Sequence, residues 1–303
     1  MTVIAIFGPT GSGKTSVAEA IADRIPADLI SADSMQVYRG VPILTAQPAR
    51  PTQLVAIWDL DHEASVGEYQ RLAHEAVDRT IAEGRTPLVV GGTGLYLRAA
   101  LAELELPPPP TPGARERYER LYDQLGADAT HSLLAERDAS AAARVHANDR
   151  RRVVRALELA ESGASLAPAT DTLWSDTLRH PTRIVGLVVG RAELERRIAA
   201  RVRAMFEAGV VEEVTAAAEH QLSRTARHII GLREIAGLPP DEAVQAIVLR
   251  TRQYAAYQRK WMRRIAGLAT VAADRPPGEI ADEILEMARS RERLPAHGGA
   301  DRG

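Results

Sequence analysis

Apolar residues follow two rhythms along this chain. Residues 3–7 form a short unbroken apolar run that stops at Gly8, as a buried strand does. Residues 15–24 then place Val17, Ala18, Ile21 and Ala22 at helical spacing. The alternation repeats. Short apolar runs at 28–32, 54–58 and 87–90 read as strands, and 66–83 and 95–104 as helices. The helix at 66–83 carries Val66, Tyr69, Leu72, Ala73, Ala76, Val77 and Ile81 on one stripe. Strands alternating with helices in this way predict an α/β fold, a parallel sheet with helices on both faces.

The pattern breaks at residues 106–113, where four consecutive prolines, Pro107 to Pro110, rule out a helix and make a stiff spacer. Residues 114–162 read as helical throughout and 163–181 as a loop. Strand character returns at 184–188, followed by helices at about 191–207, 210–222 and 240–264. The predicted organisation is a core from 1–105 and 181–290, an inserted all-α domain at 106–180, and a flexible tail at 291–303. No internal repeat is found.

Composition narrows the classes. The chain has 303 residues, 45% of them hydrophobic, enough for a sizeable core. It has no cysteine, so neither a disulfide framework nor a thiolate metal site. Its eight histidines are scattered, without metal-ligand spacing, and no zinc is expected. No signal peptide and no transmembrane segment are read, which predicts a cytoplasmic protein without a membrane partner. Net charge is −2, unevenly spread: residues 181–303 hold twenty basic against sixteen acidic side chains and are the part suited to a polyanion. Lysine occurs only at Lys14 and Lys260. A chain that otherwise uses arginine keeps a compact ammonium at position 14.

That lysine sits in a phosphate-loop pattern, Gly8-Pro9-Thr10-Gly11-Ser12-Gly13-Lys14-Thr15, after a strand and before a helix. The glycines let backbone N–H groups point inward, and the helix start adds partial positive charge. Lys14 neutralises phosphate oxygens, and the Thr15 hydroxyl can hold Mg²⁺. The fold expectation is therefore a P-loop NTPase-like α/β core. One part is missing. Nucleotide-hydrolysing relatives of this motif end a later strand in a carboxylate that orders the metal's water shell, whereas here the strand runs into Gly91-Gly92-Thr93-Gly94. Asp59 and Asp61 read as solvated loop charges. A carboxylate does follow the strand at 28–32, as Asp33 in "SADSMQVYRG". Strand C-terminal ends line the ligand crevice of such sheets, so Asp33 either faces the loop or serves as a turn or cap residue. Ser34, Gln36, Tyr38 and Arg39 beside it could read a second ligand.

Five blocks, "GPTGSGKTS", "SADSMQVYRG", "GGTGLYLRA", "NDRRRVVRALEL" and "RTRQYAAYQRKW", stand in the order and at about the spacing of the tRNA dimethylallyltransferase (tRNA isopentenyltransferase) family. The chain resembles that family from residue 2 to about 270. The resemblance implies transfer of a dimethylallyl group from dimethylallyl diphosphate, held on the phosphate loop with Mg²⁺. The acceptor is N6 of the adenine on the 3′ side of a tRNA anticodon. By resemblance Asp33 is the general base, Thr93 hydrogen-bonds near the accepting amine, and Arg201 joins Lys14 on the diphosphate. Read alone, Thr93 is equally a helix cap and Arg201 a solvated helix charge.

On the RNA side, Arg151, Arg152 and Arg155 stand at a helix start with the charge density a phosphate backbone attracts. In the segment 249–264, Tyr254, Tyr257 and Trp261 interleave with arginines. That mixture suits unstacked RNA bases, though the same aromatics could pack on a core. The resemblance adds Asp33, Ser34, Met35, Gln36, Thr93, Arg115, Gly231, Arg233, Arg252, Gln258 and Arg259 as contacts to a tRNA anticodon stem-loop, and implies a monomer. The chain departs from the family pattern at Pro42, Leu44, Gln47, Gly190-Arg191, Leu232, Ala256 and Tyr257. These departures bear on tRNA recognition more than on chemistry. Three other readings compete: a small-molecule kinase using ATP on this loop, an adenylate isopentenyltransferase acting on free nucleotide, and a non-catalytic RNA-binding protein.

Overall fold

The computed structural model describes residues 1–108, 111–167 and 177–292. The expected tail from 293 onward, Pro109 and Pro110 of the spacer, and residues 168–176 of the expected loop lie outside them. The chain divides into two compact units, Met1–Glu103 with Leu173–Gly303, and Leu104–Thr172.

The first unit is built on six strands: β1 (Val3–Phe7), β2 (Ala27–Ser31), β3 (Thr52–Gln53), β4 (Thr86–Gly91), β5 (Thr182–Val188) and β6 (Leu268–Ala272). Their order is β3-β2-β4-β1-β5-β6, and every pairing is parallel. Buried on both faces, the central strands are continuous apolar runs. Ile4 and Ile6 join Leu29, Leu88, Val185 and Leu187 in one cluster with α1 (Lys14–Ala22) and α12 (Pro277–Glu292). The alternate residues Ala5, Phe7, Ile30 and Val89, equally buried, face the other side. There α3 (Val66–Ala82) and α4 (Gly94–Leu101) pack. Ser65 caps α3 by accepting from the Glu68 N–H, the start signal its sequence carries. After β5 come α8 (Arg191–Glu207), α9 (Val210–Ala218), α10 (Leu232–Gly237) and α11 (Pro240–Met262). Among the described residues no helix is long and apolar enough to cross a membrane.

Several sequence expectations change here. The run at 54–58 is not a strand. Leu54 and Ala56 adopt φ of 64° and 51°, left-handed values no strand contains, and Trp58 makes only an isolated bridge to Tyr38. The ladder partner of β2 is instead the two-residue β3 just before it. A single turn of helix, α2 (Pro42–Thr45), went unread, as did β6 and α12. β6 is only five residues long and rich in alanine, with Val271 its one buried position, so its pattern is faint.

The second unit holds α5 (Ala114–Arg137), α6 (Ala139–Ala142) and α7 (Arg150–Glu161), packed around Tyr118, Leu134, Val145, Val153, Val154 and Leu157. It is not helical throughout. Gly126 leaves helical geometry at φ 80°, Asp138 caps α6 through the Ala141 N–H, and Asp149 caps α7 through the Arg152 N–H. Glycine tolerates the left-handed turn, and aspartates satisfy the free amides at each restart.

Candidate functional site

The site lies along the C-terminal ends of β2, β4 and β1, the edge where a parallel sheet offers its loops to ligands. The phosphate loop follows β1. Gly11 and Gly13 take φ of 82° and 86°, conformations that cost other residues. Gly13 precedes α1 without any side-chain cap, which leaves the first amides of the helix to meet an anion. Lys14 Nζ donates to the Gly8 and Pro9 carbonyls at 2.9 and 3.0 Å and is thereby folded over its own loop. Burial pushes its ammonium down to about 8, a shift that Asp33 opposes and Arg201 reinforces. The Thr15 hydroxyl has no side-chain partner among the described residues and lines the same cavity.

Arg201 is not a solvated charge. From α8 its Nη1 donates to the Thr10 hydroxyl at 2.8 Å, and burial lowers its pKa against the pull of Asp33. A cavity of about 150 Å³ is lined at one end by Thr10, Lys14, Thr15, Asp33 and Arg201. Its apolar wall includes Leu44, Ile198, Val202, Met205, Ile230 and Ile247.

Asp33 follows β2, one strand beyond β4 as seen from the loop, so it views Lys14 across the end of β4. Its Oδ1 accepts from the Met35 N–H at 2.9 Å, a turn that fixes the carboxylate. The turn and ligand-facing readings of this residue therefore hold together. At the end of β4 a side chain at Gly91 would meet backbone, and one at Gly92 the end of a buried side chain. A Cβ on Gly91 would fall 2.0 Å from the Ala32 carbonyl oxygen, and one on Gly92 2.1 Å from Gln258 Nε2. The missing carboxylate thus has a steric cause.

Thr93 occupies the N-cap position of α4 but does not cap it. Its Oγ1 accepts from the Ser34 N–H at 3.1 Å and lies 3.2 Å from both the Ser34 and Tyr254 hydroxyls. The three aromatics of α11 divide their duties. Tyr254 reaches Thr93, Trp261 packs against Gly94, and Tyr257 stays 54% exposed. Gln36 turns to Ser31 Oγ and to the Ala46 carbonyl, at 2.9 Å each.

The expected RNA contacts are dispersed. Arg151 and Arg152 are exposed on α7 and have no side-chain partner among the described residues. Arg115 and Arg155 both hydrogen-bond the fully buried Glu158. Arg155 also donates to the Pro108 carbonyl. Burial would raise Glu158, but the hydrogen bonds from these two arginines win and hold its carboxyl below the usual range. Gly231 is enclosed, at φ 107° against Leu44, with Arg233 exposed beside it. Arg252 and Arg259 are exposed on α11. Gln258 is not available as a surface contact. It is 2% exposed, accepting from the Thr10 N–H and donating to the Gly92 carbonyl. Sequence reasoning missed this use of Gln258 and the Tyr254 hydroxyl. The signal was their i,i+4 spacing, which puts both on one face of α11.

Two family profiles match the chain: IPP transferase over residues 36–265 and isopentenyl transferase over residues 1–54. The tRNA dimethylallyltransferase of Streptomyces griseus subsp. griseus is 39% identical, across 94% of this chain and 95% of that protein. The enzyme of the same name from Streptomyces coelicolor is 42% identical, across 86% and 87%. Among solved structures, the tRNA isopentenylpyrophosphate transferase of Bacillus halodurans superposes with a TM-score of 0.67 at 30% identity, covering 97% of this chain and 99% of the other. A eukaryotic dimethylallyltransferase acting on tRNA gives 0.77 at 23% identity, covering 98% and 81%, a likeness of fold.

Proposed function

The chain belongs to the IPP transferase family, and on that premise we propose that it is a tRNA prenyltransferase. It moves a dimethylallyl group from dimethylallyl diphosphate to N6 of the adenine 3′-adjacent to the anticodon, releasing diphosphate. One observation carries this reading. Asp33, the sole acid among the described residues lining the cavity, shares it with Lys14, Thr15 and Arg201, and Gly91 at the end of β4 adds no side chain there.

The chemistry follows from that placement. As the allylic C–O bond breaks, negative charge gathers on the diphosphate oxygens. The loop amides, Lys14 and Arg201 stabilise it in a site already organised around them. The exocyclic amine attacks the freed allylic carbon and must lose a proton as the C–N bond forms. Asp33 Oδ2, not engaged in the turn, accepts it. The Ser34–Thr93–Tyr254 hydroxyl group orients the amine, and Leu44, Ile198 and Val202 offer an apolar wall to the five-carbon group. The single free hydroxyl of Thr15, beside a diphosphate, fits Mg²⁺, which binds through few protein ligands and many phosphate oxygens. When bound it neutralises charge on the leaving group.

For the RNA we assign the exposed Arg151 and Arg152 of the helical unit, and Arg233, Arg252 and Arg259, to the phosphate backbone of an anticodon stem-loop. We place the enzyme in the cytoplasm, acting as a monomer.

The test incubates the protein and Mg²⁺ with labelled dimethylallyl diphosphate and either unmodified tRNA or AMP. Label in tRNA alone supports the proposal. Label in AMP alone supports the free-nucleotide enzyme, and ATP turnover without transfer supports a kinase.

A further inference from the structure

Gln258 is buried, and both ends of its amide are engaged. Oε1 accepts from the Thr10 N–H at 2.8 Å, and Nε2 donates to the Gly92 carbonyl at 2.9 Å. These partners fix which way the amide points. Tyr254 stands one helical turn before Gln258, and its hydroxyl lies 3.2 Å from Thr93 Oγ1. Gly92 lacks the Cβ that would collide with Nε2.

The pairing of β1 with β4 ends at Phe7 and Gly91. Beyond that pair the two chains part. One becomes the phosphate loop, the other the turn that carries Thr93. Gln258 spans the opening, with one amide atom on each loop. Arg201 holds the same threonine by its hydroxyl that Gln258 holds by its N–H.

We propose that Gln258 is a positioning residue that sets the gap between the leaving diphosphate and the accepting amine; this rests on the prenyl-transfer reading above. Its side chain lines the cavity, but its amide is spent on Thr10 and Gly92 and not on a reactant. It acts by keeping Thr10 and Gly92 at a fixed separation, so that donor carbon and acceptor nitrogen meet at reacting distance. A displacement of about 1 Å in such a geometry costs on the order of 100-fold in rate.

The experiment compares the full-length protein with Gln258→Met and Gln258→Glu, using labelled dimethylallyl diphosphate, Mg²⁺ and unmodified tRNA in single turnover. Inorganic diphosphate is titrated separately. Gln258→Met keeps the volume and loses both hydrogen bonds. It is expected to bind inorganic diphosphate as the unaltered protein does, since the loop amides and Lys14 remain, while its transfer rate falls about 10- to 100-fold. In Gln258→Glu an ionised carboxylate opposes the Gly92 carbonyl, but a protonated carboxyl donates and accepts as the amide does. Its transfer rate is expected to recover as pH falls, relative to the unaltered enzyme, a signature that core filling would not produce. Full-rate transfer by folded Gln258→Met, or a Gln258→Glu profile parallel to the unaltered one at every pH, overturns the proposal. Should Gln258→Met not fold, the Gln258→Glu profile decides. Absence of transfer by the unaltered protein overturns the prenyl-transfer reading and this proposal with it.

Discussion

Arg201 and Thr10, far apart in sequence, meet at 2.8 Å, guanidinium to hydroxyl. The contact brings α8 to the rim of the phosphate loop and sets a helix arginine in the cavity lining with Lys14 and Thr15. Replacing Arg201 by alanine is expected to lower kcat about 100- to 1,000-fold, the scale seen when one preorganised donor to a developing anion is removed. Lysine is expected to recover only part of this, because a point-charge ammonium lacks the planar fork with which a guanidinium can hold Thr10 and a phosphate in fixed geometry. Steady-state kinetics with tRNA saturating checks both. Unchanged kinetics in Arg201→Ala would remove the residue from the site.

Asp33→Asn keeps the shape of the turn, since an amide oxygen can still accept from the Met35 N–H. Loss of the base is expected to slow transfer about 100- to 10,000-fold while the donor still binds. The carboxylate also supports the charge on Lys14, so in Asp33→Asn the lysine titrates lower than in the unaltered protein. Donor binding measured across pH reads that second effect.

Lys14 makes the empty protein respond to pH. Burial holds its ammonium at about 8, against 10.5 for the free side chain. Between those values the unfolded chain keeps a proton that the native chain has lost. Ligand-free stability contributed by this group therefore rises with pH across that window, and its cost is fully present below about pH 8. A bound diphosphate favours the charged form. Binding just above pH 8 is thus expected to take up a proton, and affinity to fall as pH climbs further. Titration calorimetry in buffers of different ionisation enthalpy measures the uptake; none at any pH would contradict it.

Among the described residues of the helical unit, Glu158 is the one wholly buried carboxylate, and Arg115 and Arg155 depend on it. Glu158→Ala is expected to destabilise the protein by about 2 kcal/mol. Two charged hydrogen-bonding groups lose their acceptor, but both arginines keep partial access to water. The carboxyl titrates below its usual range, so the stabilisation is present above the usual carboxylate pKa and is lost as pH falls from there through the lowered value. Urea unfolding at neutral and acidic pH tests both the size and the direction.

The phosphate loop, its glycines and the alternation of strand and helix were legible because each rests on local pattern. So was Asp33, through its place at a strand end. Arg201 was not, because nothing in a helical arginine's own neighbourhood says that its guanidinium turns to a loop at the other end of the chain. The pairing of Arg115 and Arg155 with Glu158 was not legible either. A basic cluster reads as surface, and only the packed helices reveal the buried acid between them. The strand expected at 54–58 failed because apolar content says nothing about φ, and two left-handed residues decide the matter there.

The crowding at Gly91 and Gly92 also constrains descent. In nucleotide-hydrolysing P-loop proteins a carboxylate at the end of a neighbouring strand completes the metal site. Here any side chain at those two positions would drive into a backbone oxygen or a buried amide. An acid at position 91 would have to displace the β2 backbone, and one at position 92 the Gln258 side chain that ties α11 to both loops. Acquiring a carboxylate there would mean giving up a strand contact or the bridge between the two loops, however closely the glycine loop matches that of the hydrolases.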